Sequence, residues 1–161
     1  METVPIRKLL IQAIDDAFEG PNWFGPALLP SLSSLTVEQA TFVSPYEGYY
    51  AWKVMLHCAY WTHVVLSDLY PGAGSFVRTP ADWPDLPDEP TDAAFREDLG
   101  LLVEIHRLFR QAVLGLSEEQ LSRVHPVKET PVFRLVGSIP AHDTYHTAHI
   151  RNLGIAGLAE G

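Results

Sequence analysis

Apolar residues recur three and four positions apart over four separate stretches of the chain, with polar residues between them. That spacing gathers apolar side chains on one face of a helix. From about Pro5 to Glu19, Ile6, Leu9, Leu10, Ala13 and Ala17 share one side. Pro5 suits a first helical turn, and Gly20-Pro21 stops the helix. A second helix is expected from about Gly48 to Leu69, closed by Pro71, Gly72 and Gly74. The third opens at "PTDAAF", with Thr91 as its N-cap, and ends near Gly115. Its stripe of Phe95, Leu99, Leu102, Phe109 and Val113 has the spacing of an interior face. The fourth should run from about Ser138 to Leu158, with Ser138 as N-cap and Pro140 in the first turn.

The connections are less regular. Residues 71–90 hold five prolines and no periodicity, and so predict a long surface loop. Short helical pieces are expected at 26–32 and in "LTVEQA", and "SEEQL" reads as a capped turn. Only "PVFRLV" at 131–136 alternates like a strand, and it is too short to anchor a sheet. No repeat is visible. Four amphipathic helices with partly long connections predict an all-α fold, a four-helix bundle, in a single domain over residues 1–161.

Composition narrows the function more than the fold. Of 161 residues, 47% are hydrophobic and 19% charged. A chain of this size buries roughly 70% of its unfolded surface, enough for a core without staples. The one cysteine, Cys58, excludes an internal disulfide and a cysteine-rich zinc knuckle. It reads as a small buried hydrophobe, and a reducing, cytoplasmic home fits it. The net charge is −9, and no basic stripe of a nucleic-acid binder is present. Seven acids fall between Asp82 and Asp98, with Arg96 the only base among them, as in a solvated loop. "METVPIRKLL" lacks the order of a signal peptide, and no run of ~18 apolar residues exists to span a bilayer.

The candidate chemistry lies in "IPAHDTYHTAHI", residues 139–150. Three readings are open: a metal site, a base beside a nucleophile, or polar residues on a half-exposed face. On a helix His142 and His146 share a face and can converge on one ion. His149 lies on nearly the same face but about 10.5 Å along the axis from His142, too far to share a metal with it. The candidate pairs are therefore 142/146 and 146/149, and the four-residue spacing makes the better pincer.

Further ligands must come from elsewhere. His57 shares its side of the second helix with Tyr50, Val54, Trp61 and Val64, which marks it as inward. His63, beside Thr62 and Ser67, reads as solvated. His106 interrupts the apolar stripe of the third helix and is a reserve ligand; His125 precedes Pro126 in a surface loop. Cys58 lies about 100° around the helix from His57 and cannot easily join its ion. Three neutral imidazoles on two facing helices would leave a coordination position open, the arrangement of a catalytic metal. "HDTYH" resembles the H-E-x-x-H frame of zinc proteases. The aspartate, however, is one methylene short, and no downstream third ligand stands at a protease spacing. Asp143 is better read as orienting a histidine ring. Nucleophile elbow, phosphate loop and dinucleotide fingerprint are all missing. Trp23, Trp52 and Trp83 read as core and loop anchors.

"GSIPAHDTYHTAHI" is similar to the last-helix signature of the DinB-like (YfiT-like) superfamily, and "MLHCAYW" resembles its second-helix motif. "GPNWFGPALLPSLSSLTVEQA" and "ADWPDLPDEPTDAAF" look like segments of one branch, so the likeness covers nearly the whole chain. The resemblance implies four main helices and a divalent metal held by three histidines. Those positions match His57, His142 and His146, the residues the helical geometry favours. Zn2+ is the first choice, with Ni2+, Fe2+ or Mn2+ as alternatives. His149 departs from the family, which more often has glutamine there, and is a candidate fourth imidazole. Some relatives are transferases or isomerases that use a low-molecular-weight thiol such as bacillithiol or mycothiol; others resemble hydrolases. The expected activity is therefore a metal-dependent, thiol-dependent S-transferase or hydrolase on a small electrophile, with Tyr60, Trp61, Tyr145 and His149 as pocket neighbours. The alternative is a non-catalytic, stress-associated metal-binding protein whose metal is structural. A homodimer is a candidate assembly; nucleic acid and membrane are not expected partners.

Overall fold

The computed structural model describes residues 4–44 and 48–153. Among them the chain is all-helical. Its elements are α1 (Ile6–Phe18), α2 (Leu28–Ser33), α3 (Val37–Thr41), α4 (Ala51–Leu69), α5 (Asp92–Leu114), α6 (Glu118–Ser122) and α7 (Val132–Arg151). A single 3-10 turn, Pro71–Ala73, follows α4. No strand forms among the described residues, only the isolated bridges Asn22–Gly25 and Val124–Pro131.

The long helices contact one another as α1 with α7 and α5, and α4 with α5 and α7. Two apolar clusters fill the space between them. One is built on Trp52, Met55, Leu56, Phe95 and Leu102, with Leu28 and Leu32 of α2. The other joins Ile14, Leu66, Phe109, Val113, Val136 and Ile139. Each such side chain contributes about 1.5–3 kcal/mol on burial, so these stripes outweigh the local propensities of the helices that carry them. The Thr91 N-cap of α5 accepts from the Ala94 N–H, as its sequence predicts.

Three expectations fail for identifiable reasons. First, α7 starts at Val132 with Pro131 before it, not at Ser138. The apparent strand "PVFRLV" is its first two turns, because Val132, Phe133, Leu135 and Val136 all pack into the second cluster. Pro140 therefore lies inside the helix. A proline there forgoes one backbone hydrogen bond, costing ~3 kcal/mol; packing on both sides of it holds the helix through. The helix closes at Arg151, and the expected end at Leu158 lies outside the described residues.

Second, His63 is buried, not solvated. The loop after α4 folds back so that its Nε2 meets the Gly74 carbonyl at 3.2 Å. Helical periodicity alone cannot foresee a loop that covers a polar face. His125 is similarly more enclosed than a surface residue, its Nδ1 accepting from the Lys128 N–H at 3.2 Å. Third, two tryptophans exchange roles with expectation. Trp23 stands 95% exposed, and Trp61 lies at the surface instead of facing inward. Trp52 is wholly buried and Trp83 packs against the first cluster.

The loop between α4 and α5 is held down by charge. The Asp98 carboxylate on α5 is fully buried. It accepts from Trp52 Nε1 at 2.9 Å and from Arg78 Nε at 2.8 Å. Lys53 pairs with Asp85 at 3.3 Å farther along. No helix among the described residues is long and apolar enough to cross a membrane.

Candidate metal centre

His57 projects from the middle of α4; His142 and His146 come from adjacent turns of α7. The α4–α7 packing brings all three together. One ring nitrogen from each lies within 4.8 Å of the other two. Nitrogens bound to one tetrahedral ion stand about 3.3 Å apart, given bonds of ~2.0–2.1 Å. His57 Nε2 and His142 Nε2 are already 3.1 Å apart. The ring centroids of His142 and His146 are 4.4 Å apart, and those of His57 and His146 are 4.8 Å apart.

The loop fixes the His57 tautomer. Nδ1 lies 2.7 Å from the Asp82 carbonyl oxygen and 3.1 Å from Asp82 Oδ1. Neither oxygen can donate, so Nδ1 carries the hydrogen and Nε2 presents its lone pair toward His142 and His146. The Trp83 ring stacks on His57 at 3.9 Å and 13°, and Tyr49 stacks on Trp83 at 4.9 Å. His57 thus has one ring face covered and one nitrogen spent on orientation. Asp82 adopts a left-handed backbone, φ 71°, which aspartate tolerates better than most residues. Its carboxylate also accepts from Trp61 Nε1 at 2.7 Å.

The electrostatics favour neutral imidazoles. Burial holds the His57 ring below its ordinary value, partly offset by its hydrogen bond to Asp82. His146 is pushed down to about 3, first by burial and then by repulsion from His142, His57 and His149. Neutral rings offer lone pairs, which a divalent cation requires. His146 Nδ1 and His142 Nδ1 are buried without hydrogen-bond partners. The cluster therefore fits a divalent ion on its donor set, spacing and protonation.

The remaining candidates separate clearly. His106 is far from this group in function: it stacks on Phe18 at 3.6 Å, and burial pushes it down to about 4. It serves the core as a neutral aromatic ring. His149 flanks the centre, 5.8 Å from the His146 ring. Tyr145 lies 4.9 Å from His146 and is largely exposed, whereas Tyr60 packs edgewise on Phe76 instead. Asp143 is buried, 3.9 Å from His142 Nδ1, too far for a hydrogen bond. Asp82 and Trp83, which orient His57, read in the sequence only as part of a solvated acidic loop and as a core or loop anchor, not as members of the site. Their only signal is a short acidic, aromatic patch in a proline-rich loop, and nothing in its spacing names a partner.

No family model, curated protein or solved structure matches this chain. What the site shows is a buried three-histidine group able to hold a metal ion.

Proposed function

We propose that this chain is a metal-dependent enzyme with a DinB-like four-helix bundle, in which His57, His142 and His146 hold one divalent ion. Its activity is thiol-dependent S-transfer to, or hydrolysis of, a small electrophilic molecule. The observation that carries the reading is the convergence of three imidazoles from two helices, with the His57 lone pair aimed inward by Asp82. The sequence likeness to DinB-like last-helix and second-helix motifs supports the same choice of residues.

A bound ion of this kind supplies Lewis acidity and makes a coordinated water or thiol more acidic. The chain's own residues prepare the site for it. Asp82 fixes the His57 ring through Nδ1, as outer hydrogen bonds commonly do for metal-binding histidines. Trp83 covers one face of His57 and keeps water from it. Trp61 and Tyr145, both surface-exposed, form an aromatic rim beside the histidines against which a small organic substrate can rest. Zn2+ is the proposed ion, with Ni2+, Fe2+ or Mn2+ alternatives, since imidazole ligands accept several first-row metals.

The test is turnover of a chromogenic electrophile with and without added low-molecular-weight thiols. Metal-loaded protein should be active, with chelated protein and His146→Ala inactive. If metal raises the melting temperature but no thiol or water reaction appears, the ion is structural.

A further inference from the structure

Behind the triad is a second group of possible ligands. Cys58, His142 and Asp143 each offer one ligand atom within 4.8 Å of the others. Cys58 is 0% exposed and Asp143 3%, while His142 is partly buried. Asp143 Oδ1 and His142 Nδ1, which face each other at 3.9 Å, have no hydrogen-bond partner. Burial raises the Asp143 carboxyl above its ordinary value, and its Oδ1 is left with an unmet bonding position that a bound cation would fill.

We infer that Cys58, Asp143 and His142 Nδ1 form a second, thiophilic metal site that alternates with the three-histidine site. On binding a divalent cation, the Cys58 thiol loses its proton to solvent and Sγ bonds the metal. Thiolate and carboxylate then neutralise the two charges of the ion, which leaves the buried site uncharged. Ligand atoms in a tetrahedral S/N/O shell stand about 3.3–3.6 Å apart, so the group closes by up to about 1.5 Å. His142 is the shared residue. A neutral imidazole has one lone pair: on Nε2 it faces His57, on Nδ1 it faces Asp143. The tautomer of His142 therefore decides which site is competent. Soft ions select the sulfur-containing site, and ions content with imidazole select the triad. This inference stands on the Cys58 group itself and does not need the triad to be catalytic.

Because Cys58 is the only cysteine, any thiolate–metal absorption reports this site alone. Metal-free protein is titrated with Cd2+, and separately with Ni2+, while the ultraviolet thiolate charge-transfer band and the helical circular dichroism are recorded. With Cd2+ the band should grow to saturation at about one ion per chain, with the helical signal intact. It should persist in His57→Ala and His146→Ala. It should fall at least tenfold in apparent affinity in Asp143→Asn, which keeps the side-chain shape. With Ni2+ no thiolate band should appear in the wild type. The inference is overturned if Cd2+ gives no band. It is equally overturned if the band appears only as the helical signal collapses, or is unchanged in Asp143→Asn. Loss of Ni2+ binding in His57→Ala bears on the triad alone, so the two readings fail separately.

Discussion

His57 Nε2 stands 3.1 Å from His142 Nε2, while His57 Nδ1 on the far side of the same ring is held 2.7 Å from the Asp82 carbonyl. A residue of α4 is thereby aimed at a residue of α7 by a loop that belongs to neither helix. The hydrogen-bonding role of Asp82 makes the lone pair of His57 available at the one position where α7 supplies two more.

The Asp82 side chain should matter for metal affinity without being a ligand. Asp82→Asn keeps the backbone carbonyl and tolerates the left-handed φ of 71°, yet removes the carboxylate beside Nδ1. Metal affinity by isothermal titration should fall about tenfold, the lower end of what outer hydrogen-bond partners contribute. Unchanged affinity would assign orientation to the carbonyl and Trp83 alone.

The Asp98–Arg78–Trp52 network ties that loop to α5. Asp98→Ala leaves Arg78 and the Trp52 N–H facing an empty buried position. Arg78 stays partly solvated and keeps Glu97, so the cost is mainly the unsatisfied buried Trp52 N–H, about 1–3 kcal/mol. Urea denaturation should show a loss of that order, and metal affinity should drop with it because Asp82 and Trp83 ride on the same loop.

His106 should make stability pH-dependent. Its folded value of about 4 lies below the ordinary 6.5, so between those pH values the unfolded chain binds the extra proton. Stability is therefore full above pH 6.5 and declines as pH falls toward 4, by ~3 kcal/mol in all at about 1.4 kcal/mol per unit. In metal-free protein His57 and His146, also held low by burial, add to the same slope. His106→Phe should therefore make that part of the curve shallower by the share of one proton while preserving the ring stacked on Phe18. A variant with the wild-type slope would move the effect to other groups.

Gly137 tests how α7 meets α1. A Cβ there would lie 3.5 Å from Leu10 Cδ2, an ordinary contact, and no positive φ demands glycine. Gly137→Ala should stabilise the protein by about 0.5–1 kcal/mol through helix propensity. Destabilisation would mean that the α1–α7 packing is tighter than this spacing.

The sequence made the helices and the histidine partnership legible because both depend on spacing. Four-residue separation on one helix placed His142 above His146, and the apolar neighbours of His57 marked its inward side. What spacing could not convey was the return of the 71–90 loop over α4. That loop buries His63, covers His57 with Trp83 and supplies Asp82, through contacts as close as 11 positions and as far as 25 or more along the chain, with no periodic trace. The start of α7 was missed for a related reason: "PVFRLV" alternates like a strand, and only its packing against α1, α4 and α6 makes it helical. Pro140, read as a first-turn proline, consequently sits mid-helix.

The central claim is that His57, His142 and His146 hold one metal ion between α4 and α7. The most direct measurement is elemental analysis of untagged protein reloaded with Ni2+, comparing wild type, His57→Ala and His146→Ala after exhaustive dialysis. The account predicts about one ion per chain in the wild type and a large loss in both variants. A wild type that retains no Ni2+, or variants that retain as much as the wild type, would contradict it.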